Sequence, residues 1–260
     1  MNVIVCAKQI PDPALPGELN ADTNTLKREG KLIIDESDMY GVEMALQLVD
    51  KAGGGEVSVV SMAPNGEVSG VRTALAMGAA RAVLISDPEL AGSDALSTAK
   101  VLAAATKRAG EADLIIAGTE SSDGYTGTVP EQVAALLGLP SVTFAKEVTV
   151  VDGTLRVQRQ TEEGYEEVEC PLPAVVTVTA GVVEPRYPSF KGIMAAKSKP
   201  VDQLTLGDLG IDAASVGVAG CGQEIVAVDQ AEERQAGEVV EDDGESFAKI
   251  VAYLEKLKLV

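Results

Sequence analysis

The chain is predicted to be an α/β protein with a doubly wound, mostly parallel sheet, and three observations carry that prediction. From Met1 to about Ala145, short β-branched runs alternate with longer Ala-rich segments of helical period, the order that builds βαβ crossovers. The strand candidates are continuous apolar runs, as expected of strands covered on both faces. Aromatic residues are only 3% of the chain against 46% hydrophobic residues. A core of Val, Leu, Ile and Ala follows, and these are the residues the runs contain.

Taken in order, the candidate strands are Val3–Cys6, Val57–Ser61, Ala82–Ile85 and Leu114–Ala117. Helical stretches fall near Met39–Lys51, Gly66–Met77, Asp94–Arg108 and Pro130–Leu137. Between Val142 and Thr179 the period shortens. Lys146–Val151, Leu155–Gln160, Tyr165–Cys170 and Ala174–Thr179 read as strands, broken by the hairpin signals Asp152-Gly153 and Glu163-Gly164. Antiparallel strands are expected to extend the sheet edge here. Beyond Gly181 the alternation is lost among Pro185, Pro188, Pro200 and a series of glycines. The expected division is an α/β domain over 1–184 and, over 185–260, a loop and C-terminal arm without a core of its own. The acidic run Glu241-Asp242-Asp243 precedes Phe247, Ile250, Val251, Leu254 and Leu257 at helical spacing. That helix either covers the chain's own sheet or grips a partner.

Charge and composition exclude several functions. The 260 residues carry 40 acidic against 21 basic side chains, a formal charge of -19. Unaided nucleic-acid binding needs concentrated Lys and Arg and is not expected. Histidine is absent, which removes His-based triads and mixed Cys/His zinc sites. Cys6, Cys170 and Cys221 are far apart and form no CxxC pair, the pattern of free thiols in a reducing compartment. The opening MNVIVCAKQIP has too short an apolar run for a signal peptide, and no stretch has the ~18 apolar residues of a membrane span. A cytoplasmic location is expected.

In an open α/β sheet, ligands bind beyond the carboxyl ends of the strands. Three such ends are legible: Val5-Cys6-Ala7-Lys8, Ser61-Met62-Ala63-Pro64 and Ala117-Gly118-Thr119-Glu120. The third runs through Ser121–Val129, rich in Gly, Ser and Thr, into a helix whose start has Thr128 and Glu131 at capping-box spacing and Pro130 in the first turn. This segment is either a phosphate cradle for a nucleotide or an ordinary capped βα loop. Neither a GxxxxGK[ST] loop nor a GxGxxG turn is present. The cluster Asp35-Glu36-Ser37-Asp38 reads as a solvated helix start rather than a metal site. Cys6, at the end of a buried strand, reads as an inert thiol. No catalytic residue and no metal ligand is assigned. Around Arg186, Tyr187, Phe190, Lys191, Ile193 and Met194, apolar residues beside positive charge form either a small docking anchor or a loop tucked against its own sheet.

Several separated segments resemble the beta subunit of electron transfer flavoproteins along essentially the whole chain. They are Val157-Gln158-Arg159-Gln160-Thr161-Glu162-Glu163-Gly164 with Glu166, Val168 and Pro173-Ala174-Val175-Val176-Thr177; Arg72–Ala79; Glu184-Pro185-Arg186-Tyr187; and Ile193–Lys197. The resemblance implies an adenine-nucleotide α-hydrolase-like fold and a heterodimer with an alpha subunit that carries the redox FAD. It implies AMP held in this chain, and a C-terminal arm laid on the partner. It also implies electrons collected from acyl-CoA or other flavin dehydrogenases, as in fatty acid oxidation, and passed to a quinone oxidoreductase.

Carried over by motif, the AMP pocket would take Cys6, Asp35, Asp38, Met62, Gly118, Asp123, Gly124, Thr126, Gly127, Thr128 and Val129. The segment from about Pro185 to Pro200 resembles the family's recognition loop, with Phe190 where a protruding Leu is common. Asp35-Glu36 stand where the family often has Asn-Pro. Thr126 and Val129 are similar to electron-bifurcating members, whose beta subunit holds a second FAD reduced by NADH, although Tyr125 replaces an Asp those members show. Gln160 stands where an acidic residue often follows the Arg. A more distant alternative is a universal-stress-type nucleotide sensor using the same loop.

Overall fold

The computed structural model describes residues 1–63, 65–229, 237–241 and 243–260. Pro64 at the second strand end and Asp242 in the acidic run lie outside the described residues. The chain forms two compact units, Met1–Ile225 and Val226–Val260.

The first unit opens with β1 (Asn2–Cys6), a small antiparallel pair β2 (Gln9–Pro11) and β3 (Leu32–Ile34), and α1 (Glu36–Lys51). β4 (Glu56–Met62), α2 (Ser69–Met77), β5 (Arg81–Ile85), α3 (Ala95–Ala109), β6 (Leu114–Gly118) and α4 (Val129–Leu137) follow in the expected alternation. Then come β7 (Ser141–Val151), β8 (Thr154–Gln160), β9 (Tyr165–Pro171), β10 (Ala174–Val178), α5 (Phe190–Ala196), β11 (Val201–Leu204) and the short α6 (Gly217–Gly220). The main sheet has nine strands in the order β11-β5-β4-β1-β6-β10-β7-β8-β9. All neighbours are parallel except β7–β8 and β8–β9.

The strand period decides the layers. Val3, Val5, Val57, Val59, Leu114 and Ile116 face α1 and α2 in one buried cluster. Ile4, Val60, Val83, Ile85, Ile115 and Val175 face α3 and α4 in another. Each buried Val, Leu or Ile side chain contributes about 1.5–3 kcal/mol through apolar burial. The helices reach these layers through identifiable starts. Asp35 caps α1, and Asp94 caps α3 by accepting from Ser97 N at 2.8 Å. Val68 supplies no side-chain cap for α2. Gln9 replaces it from 61 residues earlier in the chain, its buried amide oxygen accepting from Gly70 N at 2.9 Å while its Nε2 donates to Glu67 O at 2.7 Å. That long-range cap starts the helix at Ser69 and not at the expected Gly66.

One expectation is corrected. Ala174–Val178 is no edge strand but lies between β6 and β7, parallel to both and buried throughout. Its unbroken apolar run already carried that signature; the antiparallel extension is β8 and β9 alone. The boundary between the compact units falls at 225/226. Residues 185–225 are built into the first unit because β11 extends the sheet beside β5, and Leu206 and Val216 are buried in the second cluster. In the second unit, α7 (Phe247–Lys256) is the expected amphipathic helix, and none of its residues is buried.

Candidate functional site

After β1 the chain moves to β4 and β5 on one side and returns to β6 on the other, so β1 and β6 flank the point where strand order reverses. Ligands of open α/β sheets bind beyond the carboxyl ends at such a point. Here Asp38 bridges it. One carboxylate oxygen accepts from Lys8 N at 2.6 Å, just past β1, and the other from Gly118 N at 3.2 Å, at the end of β6. Gly118 has no room for a side chain, since a Cβ would stand 2.9 Å from Asp38 Oδ1 and from Ser37 Oγ. Its place in the site is the space it leaves for Asp38.

Asp35 ties the following loop down. Its Oδ1 accepts from Ser37 N and Oγ, and its Oδ2 from Ser122 N at 2.7 Å and Ser122 Oγ at 3.0 Å. Ser37 Oγ also lies within 3.1 Å of Glu120 O. Asp35 is 0% exposed and Asp38 6%, so the cluster is not the solvated helix start expected. Burial first, and then the charge of Asp35, push the Asp38 carboxyl up to about 7 against the backbone N–H groups that favour its ionised form.

Asp123 is the second anchor. Lys8 Nζ lies 2.6 Å and Arg28 Nη2 2.5 Å from its two oxygens, and Lys8 also donates to Ser121 Oγ at 3.2 Å. Burial alone would raise this carboxyl, but Lys8 and Arg28 outweigh it and hold it below the usual range. Lys8 and Arg28 escaped the sequence reading as site residues. Lys8 was visible beside Cys6, whereas Arg28 comes from the irregular 12–31 segment, where no period or motif marks it.

With the loop held at both anchors, Tyr125 takes φ 50° and Gly127 φ 60°, and the chain enters α4. Thr128 is the N-cap, yet its hydroxyl makes no cap bond and accepts instead from Gln132 Nε2 at 3.2 Å. The expected capping box is therefore not formed. Among the described residues no protein acceptor takes the N–H groups of Gly127, Thr128 and Val129, and free N–H groups at a helix start favour anions. Burial raises the carboxyl of Glu131 in the same first turn.

Cys6, Met62 and Val129 come together as half-buried residues on the α3–α4 layer. Burial and the Asp38 charge push the Cys6 thiol up to about 12, with Thr106 acting weakly the other way. It is a neutral thiol and no nucleophile at ordinary pH. Gly124, Thr126 and Thr128 are exposed on the loop. A cavity of about 360 Å³ near Thr106, Ala112, Leu137 and Pro173 lies at the opposite, amino-terminal end of β6 and β10 and is no part of this site. No group of His, Cys, Asp and Glu among the described residues could hold a metal ion.

The docking candidates lie elsewhere, on and before α5. Tyr187 is 91% exposed, Phe190 81%, Met194 50% and Ile193 47%, and Lys191 is also exposed. Arg186 is different. Its Nε and Nη2 grip the buried Glu43 carboxylate at 2.6 and 3.0 Å, so it also fastens the segment to α1.

Fold and site together define an open, mostly parallel α/β protein with a polar loop site at its switch point. The family described as "Electron transfer flavoprotein domain" matches residues 23–209. The "Electron transfer flavoprotein subunit beta" of Mycobacterium bovis is 39% identical over 264 residues, covering 100% of this chain and 99% of the relative. That of Thermoanaerobacterium thermosaccharolyticum is 38% identical over 243 residues, covering 92% of each. The "Caffeyl-CoA reductase-Etf complex subunit CarD" of Acetobacterium woodii is 37% identical over 221 residues, covering 84% of this chain and 83% of the relative. The chain belongs to the electron transfer flavoprotein family, as a beta subunit. Membership implies an alpha-subunit partner and a flavin in the complex. No helix of the described residues is long and apolar enough to cross a membrane.

Proposed function

We propose that this chain binds AMP structurally at the β1/β6 site, scaffolds the FAD-bearing alpha subunit and docks flavin dehydrogenases such as acyl-CoA dehydrogenases. Electrons then pass through the complex to an acceptor such as a quinone oxidoreductase. The chain makes and breaks no bonds itself. Electron transfer needs a held flavin and a short approach, not an acid/base pair, so the absence of histidine is no obstacle.

The observation that supports this best is the tethered 119–128 loop. Asp35 and Asp123 are both consumed by protein donors, which leaves the N–H groups of Gly127–Val129 for an anion. On this reading a phosphate lies at the start of α4, the base lies toward Cys6 and Met62, and the exposed hydroxyls of Thr126 and Thr128 face the ribose or phosphate. Asp123 acts through the loop, not on the ligand.

The likeness to a subunit of a caffeyl-CoA reductase complex favours a second reading, in which the same pocket holds a second FAD reduced by NADH. Denaturing the purified alpha–beta complex and resolving its released ligands separates the two. One FAD and one AMP per heterodimer supports the first. Two FAD without AMP moves the pocket to the second. A chain that purifies alone with AMP or ATP refutes both in favour of a nucleotide sensor.

A further inference from the structure

We infer that Arg72, Lys199 and Gly192 are positioning residues that hold α5 preformed as a docking helix; the inference rests on the docking reading of Tyr187–Met194. A helix spanning only Phe190–Ala196 is too short to persist on its own. It is held against α2 by a reciprocal clamp. Arg72 Nη1 donates to Ala196 O at 2.6 Å and Lys199 O at 2.7 Å, the carbonyls that close α5 and the turn after it. Lys199 Nζ donates back to Leu75 O at 2.8 Å and Ala79 O at 2.7 Å, at the end of α2. Each cation thus satisfies carbonyls that a helix end leaves unpaired, where the helix dipole also favours positive charge.

The two backbones meet closely. A Cβ at position 192 would stand 2.4 Å from Ala76 O, so only glycine permits this approach. Ser189 adds a cap by accepting from Gly192 N at 3.0 Å. The segments 72–79 and 193–197, far apart in the chain, are therefore the two halves of one contact.

What the clamp leaves outward is the other face of α5. Phe190, Ile193 and Met194 project there, with Lys191 and Lys197 exposed around them. On a chain of net charge -19, this local arrangement fits one occupant: an apolar pocket with an acidic rim on a flavin dehydrogenase. A helix already formed loses less conformational freedom on binding than a loop that must order first.

Hydrogen exchange on the free FAD-loaded heterodimer tests the clamp, and its reduction by an acyl-CoA dehydrogenase at saturating acyl-CoA tests the purpose. In the wild type the amides of 193–199 should be protected. Arg72→Gln and Lys199→Met should each lose about tenfold protection there, with sheet amides unchanged, and raise KM for the heterodimer about tenfold at constant kcat. Phe190→Ala should raise KM without changing exchange. Free exchange of 193–199 in the wild type, or wild-type protection in both clamp variants, overturns the clamp. Lost protection with unchanged KM, together with an unaffected Phe190→Ala, overturns the docking reading instead.

Discussion

Replacing Asp38 by Asn probes the bridge across the β1/β6 switch point, and its effect should change with pH. The carboxyl is 6% exposed, and burial moves it from an ordinary 3.8 to about 7. Because the folded value lies above the unfolded one, the group's contribution is fully present below about pH 4 and is lost as pH rises through about 7. The whole displacement corresponds to about 4 kcal/mol, of which about 2 kcal/mol is lost between about pH 5.5 and 8.5. Asn carries no charge and escapes that loss. It has only one oxygen for the two N–H groups of Lys8 and Gly118, and leaving a buried donor unpaired costs about 1–3 kcal/mol. The variant should therefore lie within about 1 kcal/mol of the wild type near pH 5.5 and be more stable by about 1–3 kcal/mol near pH 8.5. Urea unfolding of the heterodimer at one fixed concentration, at both pH values, measures the gap. A gap of the same size and sign at both values would refute the reasoning, because it would mean that Asp38 does not titrate between them.

Gly118→Ala should destabilise the complex by about 1–3 kcal/mol, because a Cβ 2.9 Å from Asp38 Oδ1 and Ser37 Oγ must displace the bridge; a melting temperature unchanged from wild type would show that the site has slack. Arg186→Met leaves the Glu43 carboxylate, 3% exposed, with only Gln47 as a side-chain donor among the described residues. A loss of about 1–3 kcal/mol is expected near neutral pH. Burial opposes ionisation of Glu43, but Arg186 and Gln47 outweigh it and hold the carboxyl below its ordinary 4.5. The contribution is therefore present above that value and fades as pH falls through the folded one, so the variant's deficit should shrink in acid. Asp123→Asn weakens the hold of Lys8 and Arg28 on the nucleotide loop and should raise the dissociation constant for AMP about tenfold without altering the flavin content; calorimetric titration of stripped complex would read it.

The parallel strands β1, β4, β5 and β6 were legible because buried strands announce themselves as unbroken apolar runs, and the residues of the switch-point loop stand in one stretch of chain. What stayed hidden was long-range. Gln9 capping α2, Arg28 pairing with Asp123 and Arg186 pairing with Glu43 join positions that no local period relates. β10 was misplaced at the edge because hairpin signals before it suggested that the meander continued, although Ala174–Val178 had the composition of a central strand. β11 was missed because Val201–Leu204 is a half-exposed edge strand after a proline, with one apolar residue at each end. The cluster at Asp35–Asp38 misled for a related reason. Acidic residues at a helix start are usually wet, but here the ends of β1 and β6 and the loop arriving from 119–122 cover them.

The second unit sets the last prediction. Phe247 is 66% exposed, Ile250 52%, Val251 43% and Leu257 48%, and an apolar stripe of that kind marks an interaction surface. On the proposed reading it lies on the alpha subunit. Each such side chain contributes about 1.5–3 kcal/mol when buried, and part of the sum is offset by ordering on association. Phe247→Ser with Ile250→Ser in the full chain should weaken the alpha–beta heterodimer about a hundredfold or more, since two large apolar contacts are removed. The first unit carries both buried clusters and should keep its far-ultraviolet dichroism and melting temperature. Sedimentation of the co-expressed chains reads the association directly. Heterodimer as tight as wild type would place the stripe elsewhere, and loss of the first unit's fold would show that the helix covers the chain's own sheet.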